Sequence, residues 1–324
     1  MTAGLTVRLL HGDPTFVRYS GVKKLHQALR SKILDYRATP SSGLPPPKPT
    51  VVYFEPAPTY LYGRSAGKLD QAERRWFAPL QDYITYNHDY DETYRLNTAQ
   101  RRILNSKLEI YSRRIHENEE MLDKLGHNVP EFSCKPEVMQ RLDRELSTYF
   151  GPGQAVVWPV LDMRSERFAR YTKSDIEMIM ASGTMYFLKH YLDLKDTMYK
   201  PGSGVWIQSQ HFKDEERQIA DVHVNIEDDI LSFGVSLNVE SPIVGSRSIN
   251  PWSRLKEADI QFDPVTSIAA ELGDLGHVLG SRKKISMQEI MDGLVLDVCA
   301  TLGFSSVKSV SHNAVVKGSS EFLR

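Results

Sequence analysis

The chain has 324 residues, of which 41% are hydrophobic and 25% charged, and its formal net charge is -1. This composition predicts a folded protein with a sizeable core, and it lacks the positive charge that nucleic-acid binders concentrate. Two cysteines, Cys134 and Cys299, are too few for a disulfide framework and indicate a reducing compartment. The apolar runs are shorter than a bilayer span, and no Cys/His spacing is typical of zinc, so we expect no transmembrane helix, metal or cofactor.

The N-terminal third predicts a strand, a helix and a second strand in turn. The first ten residues alternate in hydrophobicity, which favours a strand over a targeting peptide. Residues 16–36 carry an apolar stripe at helical spacing. Five prolines within residues 40–49 predict a stiff connector, and the β-rich run 51–54 follows it.

Residues 68–126 differ from the rest, because their apolar residues follow helical spacing opposite a densely charged face. Trp76 to Ile84 predicts one amphipathic helix, and Leu104 to Leu125 a second with a near-heptad seam. Two interpretations remain open. The segment is either a helical hairpin packed on its own domain or an arm that docks a partner protein.

Strands and helices alternate from residue 155 onward. The sequence predicts strands at 156–161, 205–207, 219–226 and 230–239, and helices at 175–192 and 287–302. This order predicts an α/β or α+β domain with a mixed β-sheet flanked by helices.

Several short motifs occur in a fixed order along this pattern. They are Pro58-Thr59-Tyr60-x-x-Gly63-Arg64, Thr148-Tyr149-Phe150-Gly151-Pro152-Gly153-Gln154, Gly204-Val205-Trp206-Ile207, Phe233-Gly234-Val235-Ser236-Leu237-Asn238-Val239, Ile249-Asn250-Pro251 and Thr266-Ser267-Ile268. Each is weak alone, since turns such as Gly-Pro-Gly are common. Together and in order they resemble the octanoyltransferase, or lipoyl(octanoyl) transferase, family of lipoate biosynthesis.

The resemblance implies the biotinyl/lipoyl ligase-transferase fold, with residues 1–324 forming one domain interrupted by a helical insertion at 68–139. It also implies that a cysteine takes octanoyl from acyl carrier protein and passes it to a lipoyl-domain lysine, aided by a lysine in the site. The implied substrate-pocket residues are Tyr60, Gly63, Arg64, Tyr149, Phe150, Gly151, Gly153, Gln154, Phe233 and Gly234.

The chain differs from the family at the positions that the resemblance assigns to catalysis. Trp252 stands at the place of the cysteine and Gln218 at the place of the lysine, and these positions are 34 apart, which matches the family spacing. Phe150 and Phe233 replace two histidines, and residues 143–146 replace an Arg-Gly-Gly-Gln turn. An indole cannot form an acyl-enzyme and an amide cannot act as a general acid or base, so no intact catalytic residue is expected.

Five other residues were weighed as substitutes for the missing groups. Ser253 adjoins the lost cysteine but needs a base. His223 lies on the strand after Gln218, and Lys213 lies in a charged turn just before it. Cys134 lies in the insertion, and Cys299 fits a small buried residue of a helix. None is predicted to restore the activity.

The sequence therefore predicts a catalytically degenerate pseudoenzyme that acts as a binding or structural component. An active lipoyl(octanoyl) transferase with a relocated mechanism, and a non-catalytic binder of an acyl chain, remain alternatives. The expected partners are a lipoyl domain, an acyl carrier protein, or a protein complex contacted through residues 68–126. Eukaryotic members of the family work in mitochondria, so the resemblance implies a mitochondrial location.

Overall fold

The computed structural model describes residues 6–11, 17, 19–39, 46–66, 137–140, 144–209, 215–241, 252, 255, 261–272 and 286–310. The helices predicted within 68–126 lie outside these residues, as does most of the predicted insertion. Cys134, Lys213 and Ser253 lie outside them as well.

The described elements alternate between strands and helices, as the sequence predicts. In chain order they are β1 (Thr6–His11), α1 (Tyr19–Ala38), β2 (Thr50–Phe54), β3 (Thr59–Tyr62), a 3₁₀ turn (Arg64–Ala66), β4 (Glu137–Gln140), β5 (Thr148–Phe150), β6 (Gln154–Asp162), α2 (Lys173–Leu192), β7 (Thr197–Lys200), β8 (Gly204–Ser209), β9 (Glu215–Val222), β10 (Asn225–Glu227), β11 (Ile230–Ser232), β12 (Val235–Asn238), α3 (Ile268–Leu272), α4 (Met287–Thr301) and β13 (Ser306–Val310).

Ten of these strands form one mixed sheet in the order β13-β1-β2-β6-β12-β9-β8-β7, with the hairpin β10-β11 attached to β6. β1 pairs in parallel with β2 and β13. Along the rest of this sheet, the pairs β2-β6, β6-β12, β12-β9, β9-β8 and β8-β7 are antiparallel. A separate three-stranded sheet has the order β4-β3-β5. The predicted mixed sheet flanked by helices is confirmed.

Helices α2 and α4 cover one face of the large sheet. Each begins at a reciprocal capping box, Thr172 with Asp175 in α2 and Ser286 with Glu289 in α4, which satisfies backbone donors of the first turn. The helices cross closely at Gly183, where a β-carbon would come 3.0 Å from the Cα of Val298. This face is filled mainly by aliphatic side chains.

Helix α1 packs on the opposite face of the sheet and is anchored at both ends. Its first turn contains no acidic residue, but Glu137 of β4 accepts hydrogen bonds from the backbone N–H (3.1 Å) and hydroxyl of Ser20. A carboxylate is favourable at this positive end of the helix dipole. In the last turn, Arg37 donates to Asp162 of β6 at 2.5 Å. The small sheet, α1 and β6 are thereby joined.

Two predicted strands are each divided in the structure. The run 219–226 becomes β9 and β10, and the run 230–239 becomes β11 and β12. The second division has a clear cause, since Phe233 adopts a φ of 66° between β11 and β12. A left-handed residue turns the backbone out of the extended conformation and ends the strand.

Candidate functional site

The residues singled out by the resemblance gather on the α1 side of the large sheet. Side chains alternate along a strand, so Val235 and Leu237 of β12 pack under α2 and α4 while Ser236 points the other way. On β6, Val156 and Trp158 likewise join the core beneath α1. The candidate site therefore lies between the large sheet, α1, the three-stranded sheet and the residues Trp252, Leu255 and 261–266.

The Gly-Pro-Gly turn connects β5 to β6 at the edge of this region. Gly153 has a φ of 85°, and a β-carbon there would lie 2.6 Å from the backbone of Glu240, so only glycine fits without strain. The N–H of Gly153 donates to Oε1 of Glu55 at 2.8 Å. Its carbonyl accepts from the N–H groups of Val239 (2.9 Å) and Glu240 (2.8 Å). The turn is thus held between the ends of β2 and β12.

Gln154 secures the same turn from inside. Its Oε1 accepts from the N–H of Gly151 at 2.7 Å, and its Nε2 donates to the carbonyl of Tyr149 (3.1 Å) and to Oδ1 of Asn238 (2.8 Å). The residue is 2% exposed. All of these bonds are internal, so in this structure Gln154 orders the turn around Tyr149.

Trp252 lies in a buried aromatic group beside the turn. This group, the Trp252 cluster, consists of Tyr60, Tyr62, Tyr149, Trp252, Leu255 and Val265, with Phe262 at its edge. The indole is 4% exposed, meets the ring of Tyr149 edge-on at 5.9 Å and lies 5.8 Å from Phe262. Tyr149 in turn contacts Tyr60 at 5.1 Å. The indole therefore continues a chain of rings that begins on the small sheet.

A second aromatic group, the Trp158 cluster, occupies the neighbouring space beneath α1. Its rings are those of Tyr19, His26, Phe54, Phe150, Trp158 and Phe233. Trp158 is at the centre, with ring centroids 5.1 Å from Phe54, 5.8 Å from Phe150 and 5.1 Å from Phe233, all edge-on. Phe150 and Phe233, which stand where the resemblance places histidines, are thus packed in apolar surroundings.

Phe233 adopts an unfavourable backbone conformation, with a φ of 66°. A left-handed conformation costs a residue with a β-carbon about 1–2 kcal/mol. Contacts with Trp158 and a stacked Tyr19 ring (6.5 Å, 6° between planes) offset that cost. The following Gly234 approaches the carbonyl of Val157 so closely that a β-carbon would clash. Phe233 and Gly234 together bring the chain tightly against β6.

His26 of α1 is the titratable member of the Trp158 cluster. Neither ring nitrogen has a hydrogen-bond partner among the described residues. Burial removes the charged form from water and lowers the pKa of His26 from 6.5 to about 3. The imidazole is therefore neutral at physiological pH and packs as an aromatic ring.

Gln218 of β9 is 4% exposed and is engaged in hydrogen bonds. Its Nε2 donates to the carbonyl of Ser203 at 2.6 Å and lies 3.3 Å from Oδ2 of Asp263. Its backbone N–H and carbonyl bond Pro264 (2.8 Å) and Thr266 (2.9 Å). These bonds hold residues 263–266 against β9. The amide of Gln218 does not ionise at physiological pH, so this side chain cannot act as a general acid or base.

A buried ion pair three residues further along β9 was not foreseen as a feature of the site. Arg144 donates to Oδ2 of Asp221, and the two side chains are 8% and 9% exposed. Oδ1 of Asp221 and the hydroxyl of Ser236, its cross-strand neighbour, have no hydrogen-bond partner among the described residues. The signal in the sequence was an acidic residue within an apolar strand, which requires a partner when buried.

The acidic neighbour of this pair is Glu177 of α2. Its burial raises its pKa, an effect that the charges of Lys173 and Arg144 oppose. The carboxylate lies 3.8 Å from the Lys173 ammonium. Glu177 is 6% exposed, so it is as deeply buried as Arg144 and Asp221, whose charges act on it.

Three pocket residues implied by the resemblance, Gly63, Arg64 and Gly151, do not contribute side chains to either aromatic cluster. Gly63 lies against the backbone of residues 145 and 146 and donates to the hydroxyl of Ser147 at 3.0 Å. Arg64, 59% exposed, pairs with Glu145 at 3.1 Å on the surface and does not join either aromatic cluster. Gly151 lies directly beneath the ring of Tyr149.

Two of the weighed substitutes are described by the structure. His223 is buried, with its ring 6.2 Å from that of Phe233. Cys299 lies on α4 in the aliphatic core, and burial raises the pKa of its thiol to about 12. A thiol with so high a pKa supplies almost no thiolate at neutral pH.

Within the described ranges, no three His, Cys, Asp or Glu side chains are grouped so as to hold a metal ion. None of the described helices combines the length and the apolar character needed to cross a bilayer.

Comparison with known proteins points to one family by sequence. An octanoyltransferase of Paenarthrobacter aurescens is 26% identical over 126 residues, covering 39% of this chain and 51% of the relative. An octanoyltransferase of Rickettsia canadensis is 30% identical over 100 residues, covering 30% of this chain and 44% of the relative. The matched part thus spans about half the length of these relatives. They confirm the resemblance to octanoyltransferases, although no family model matches the chain.

Solved structures with a related shape are lipoate-protein ligases. A bi-partite lipoate protein ligase from Thermoplasma acidophilum, described with its E2 lipoyl domain, aligns over 97% of this chain and 91% of its own at 13% identity, with a TM-score of 0.46. Lipoate-protein ligase A bound with ATP aligns over 98% of this chain and 94% of its own at 10% identity, with a TM-score of 0.45. At these scores the likeness is loose.

Proposed function

We propose that this octanoyltransferase-like chain does not transfer acyl groups but acts as a binding or structural component. The observation that carries the proposal is Trp252. It stands where the resemblance places the nucleophilic cysteine, and its indole is buried against Tyr149 of the Gly-Pro-Gly segment. An indole offers no leaving group and no thiolate, so a thioester cannot form at this position.

The position of the family lysine supports the same proposal. Gln218 cannot be protonated, and its amide is committed to Ser203 and Asp263. A reaction that needs a cation beside the nucleophile would find an uncharged, hydrogen-bonded side chain. Loss of one partner of a catalytic pair removes most of the rate, and here both are replaced.

The aromatic clusters are the third support. Family histidines are replaced by Phe150 and Phe233, which pack with Trp158, and Trp252 packs with Tyr60 and Tyr149. Substitution of small or polar side chains by large rings favours a solid core over an open acyl tunnel. The buried clusters would instead stabilise a rigid body that presents its surface to a partner.

We extend the proposal to the partner and its location. The T. acidophilum ligase is described with an E2 lipoyl domain, and a lipoyl domain or an acyl carrier protein is accordingly the first partner to test. A mitochondrial complex bound through residues 68–126 is the second. The mitochondrial location rests on resemblance, and a fluorescent fusion of the full chain that overlaps a matrix marker would support it.

The decisive experiment is an octanoyl-transfer assay. The purified full chain is incubated with octanoyl-acyl carrier protein and an apo-lipoyl domain, and the intact masses of all three proteins are followed. We expect no octanoylated lipoyl domain and no acylated chain. A bacterial octanoyltransferase assayed in parallel shows that both substrates are competent.

A matched variant distinguishes a lost mechanism from a relocated one. If octanoylation is seen and survives Cys134→Ser and Cys299→Ser but is lost in Ser253→Ala, the chain is an active transferase and the proposal is wrong. Trp252→Cys with Gln218→Lys restores both groups. We expect this double variant to remain at least about 100-fold below the bacterial enzyme, because Phe150 and Phe233 still occupy the histidine positions.

Binding is measured separately by co-elution. A stable complex of the full chain with the lipoyl domain or the carrier protein, formed without transfer, would support a binding role toward that protein. Deletion of residues 68–126 tests the alternative route. If every association survives this deletion, residues 68–126 are not the docking arm.

A further inference from the structure

A cavity of about 720 Å³ lies away from the candidate site, at the other end of β6. The Gly-Pro-Gly turn adjoins Gln154, whereas the cavity is lined by Val160 and Asp162. At about 3.3 Å per residue, Gln154 and Asp162 are roughly 26 Å apart. The cavity is therefore a separate feature, and its role does not depend on the proposed function.

The inner surface of the cavity is apolar. Ile33 of α1, Val160 of β6 and Phe168 form its floor, and all three are at least nine-tenths buried. The proline-rich connector at residues 46–49 forms one wall. Prolines have no backbone N–H and a fixed φ, so this wall is stiff and offers few donors.

The rim carries an excess of positive charge. Lys48, Arg167 and Arg170 line it, against Glu166 and Asp162. Asp162 is already paired with Arg37 of α1 at 2.5 Å. Within the described ranges, no carboxylate lies within ion-pair distance of the three rim cations, which leaves a net charge of about +2 around an apolar floor.

Among the described residues, the two arginines bond neutral groups. Arg167 donates from Nε (3.2 Å) and Nη2 (3.1 Å) to the carbonyl of Leu302 and from Nη2 to that of Gly303, and its guanidinium lies 5.6 Å from the ring centroid of Phe304. Arg170 donates to the hydroxyl of Tyr171 at 2.9 Å. Carbonyl, hydroxyl and ring contacts fix the guanidinium groups in place without neutralising their charge.

We propose that this cavity binds a small amphipathic anion, with a carboxylate head group and an apolar tail. The volume falls within the range of small-molecule sites. The tail would lie on Ile33, Val160 and Phe168. The carboxylate would lie at the rim, where a guanidinium offers paired N–H donors and Lys48 adds a mobile charge.

The test compares two probes that differ in the sign of the head group. Decanoate and decyltrimethylammonium are titrated into the full chain by calorimetry, below their micelle-forming concentrations. We expect decanoate to bind with one-to-one stoichiometry and to weaken as salt rises from 50 to 500 mM, because exposed charges are screened. We expect decyltrimethylammonium to bind at least about tenfold more weakly.

Variants at the rim locate the site. Lys48→Gln with Arg170→Gln removes two exposed cations and should weaken decanoate binding about five- to tenfold. Glu166→Gln removes the rim anion and should strengthen binding about twofold. Lys189→Gln, an exposed lysine of α2 outside the cavity, is the matched control and should change nothing.

Three results would overturn the proposal. They are absence of decanoate binding at millimolar concentration, equal binding of the two probes, and binding that the rim double variant leaves unchanged. Misfolding of the double variant could weaken decanoate binding, but it could not also produce the stronger binding expected for Glu166→Gln. Thermal unfolding of each variant is measured beside the titration.

Discussion

The two aromatic clusters on the α1 side of the sheet contain similar residues but are built differently. Trp158 is 1% exposed on the central strand β6 and is surrounded by rings from α1, β2, β5 and the Phe233 bend. Trp252 is 4% exposed and contacts two rings, Tyr149 and Phe262. The comparison teaches that the Trp158 cluster is part of the core between the large sheet and α1, whereas the Trp252 cluster fills the space beside that core. Four predictions test this difference, from the largest effect to the smallest.

The first prediction concerns the core cluster. Trp158→Ala should lower the free energy of unfolding by about 5 kcal/mol, at the upper end for removal of a buried aromatic residue, because five rings lose their central contact. Urea denaturation followed by circular dichroism measures it. Trp158→Phe, which keeps a ring, is the control and should cost clearly less. A loss no larger than the roughly 3 kcal/mol expected for Trp252→Ala would remove the distinction between the clusters.

The second prediction concerns the buried ion pair beside Gln218. Arg144→Met should cost about 3–4 kcal/mol, because Asp221 would remain buried without its partner. Denaturation at pH 7 measures the loss. Arg144→Met combined with Asp221→Leu should recover most of it, since an apolar pair needs no compensation. Equal losses in the single and double variants would contradict this account.

The third prediction concerns the smaller cluster. Trp252→Ala should cost about 3 kcal/mol, less than Trp158→Ala, because the ring contacts of Trp252 with described residues are those with Tyr149 and Phe262, whereas Trp158 contacts five described rings. The same variant should leave α1 unaffected. Hydrogen exchange measures this directly, with faster exchange expected at Tyr60 and Tyr149 and no change along α1. Faster exchange along α1 would show that the two clusters form one cooperative unit.

The fourth prediction uses the pH dependence of His26. The pKa is about 3 in the folded chain and about 6.5 when unfolded, so the unfolded state binds more protons in between. Stability from the neutral imidazole is complete above pH 6.5 and is lost as the pH falls. The loss from pH 7 to pH 5 should be about 2 kcal/mol.

His26→Leu provides the control for this measurement. The unfolding free energy of the native chain minus that of the variant should fall by the stated amount over the same pH range, which cancels the contribution of other groups. A difference that stays constant from pH 7 to pH 5 would show that His26 is protonated in the folded chain.

Much of the large sheet and its helices could be predicted from the sequence. The run that became β6 is continuously apolar, and the apolar stripes that became α1, α2 and α4 follow helical spacing. The three-stranded sheet was not predicted as a sheet. Its strands are three or four residues long, and β4 is separated from its partner β3 by more than 70 residues.

The candidate site was predictable in position but not in detail. The motifs led to Tyr60, Tyr149 and Trp252, and the structure brings these three together. The bend at Phe233 depends on a left-handed backbone that the identity of a phenylalanine does not suggest. The ion-pair partner of Asp221 could not be predicted from the sequence either, since Arg144 precedes it by 77 residues and meets it through a tertiary contact.

The parallel pairing of β3 with β4 sets a geometric condition on any protein engineered without residues 68–126. Thr59, the first residue of β3, lies opposite Glu137, the first residue of β4, so the connection must return along the whole strand. Parallel neighbours need a connection of about a dozen residues. A shortened loop below that length would pull Glu137 away from Ser20 and uncap α1. The replacement loop should therefore be long and flexible, so that a lost association reflects the missing segment rather than a displaced helix.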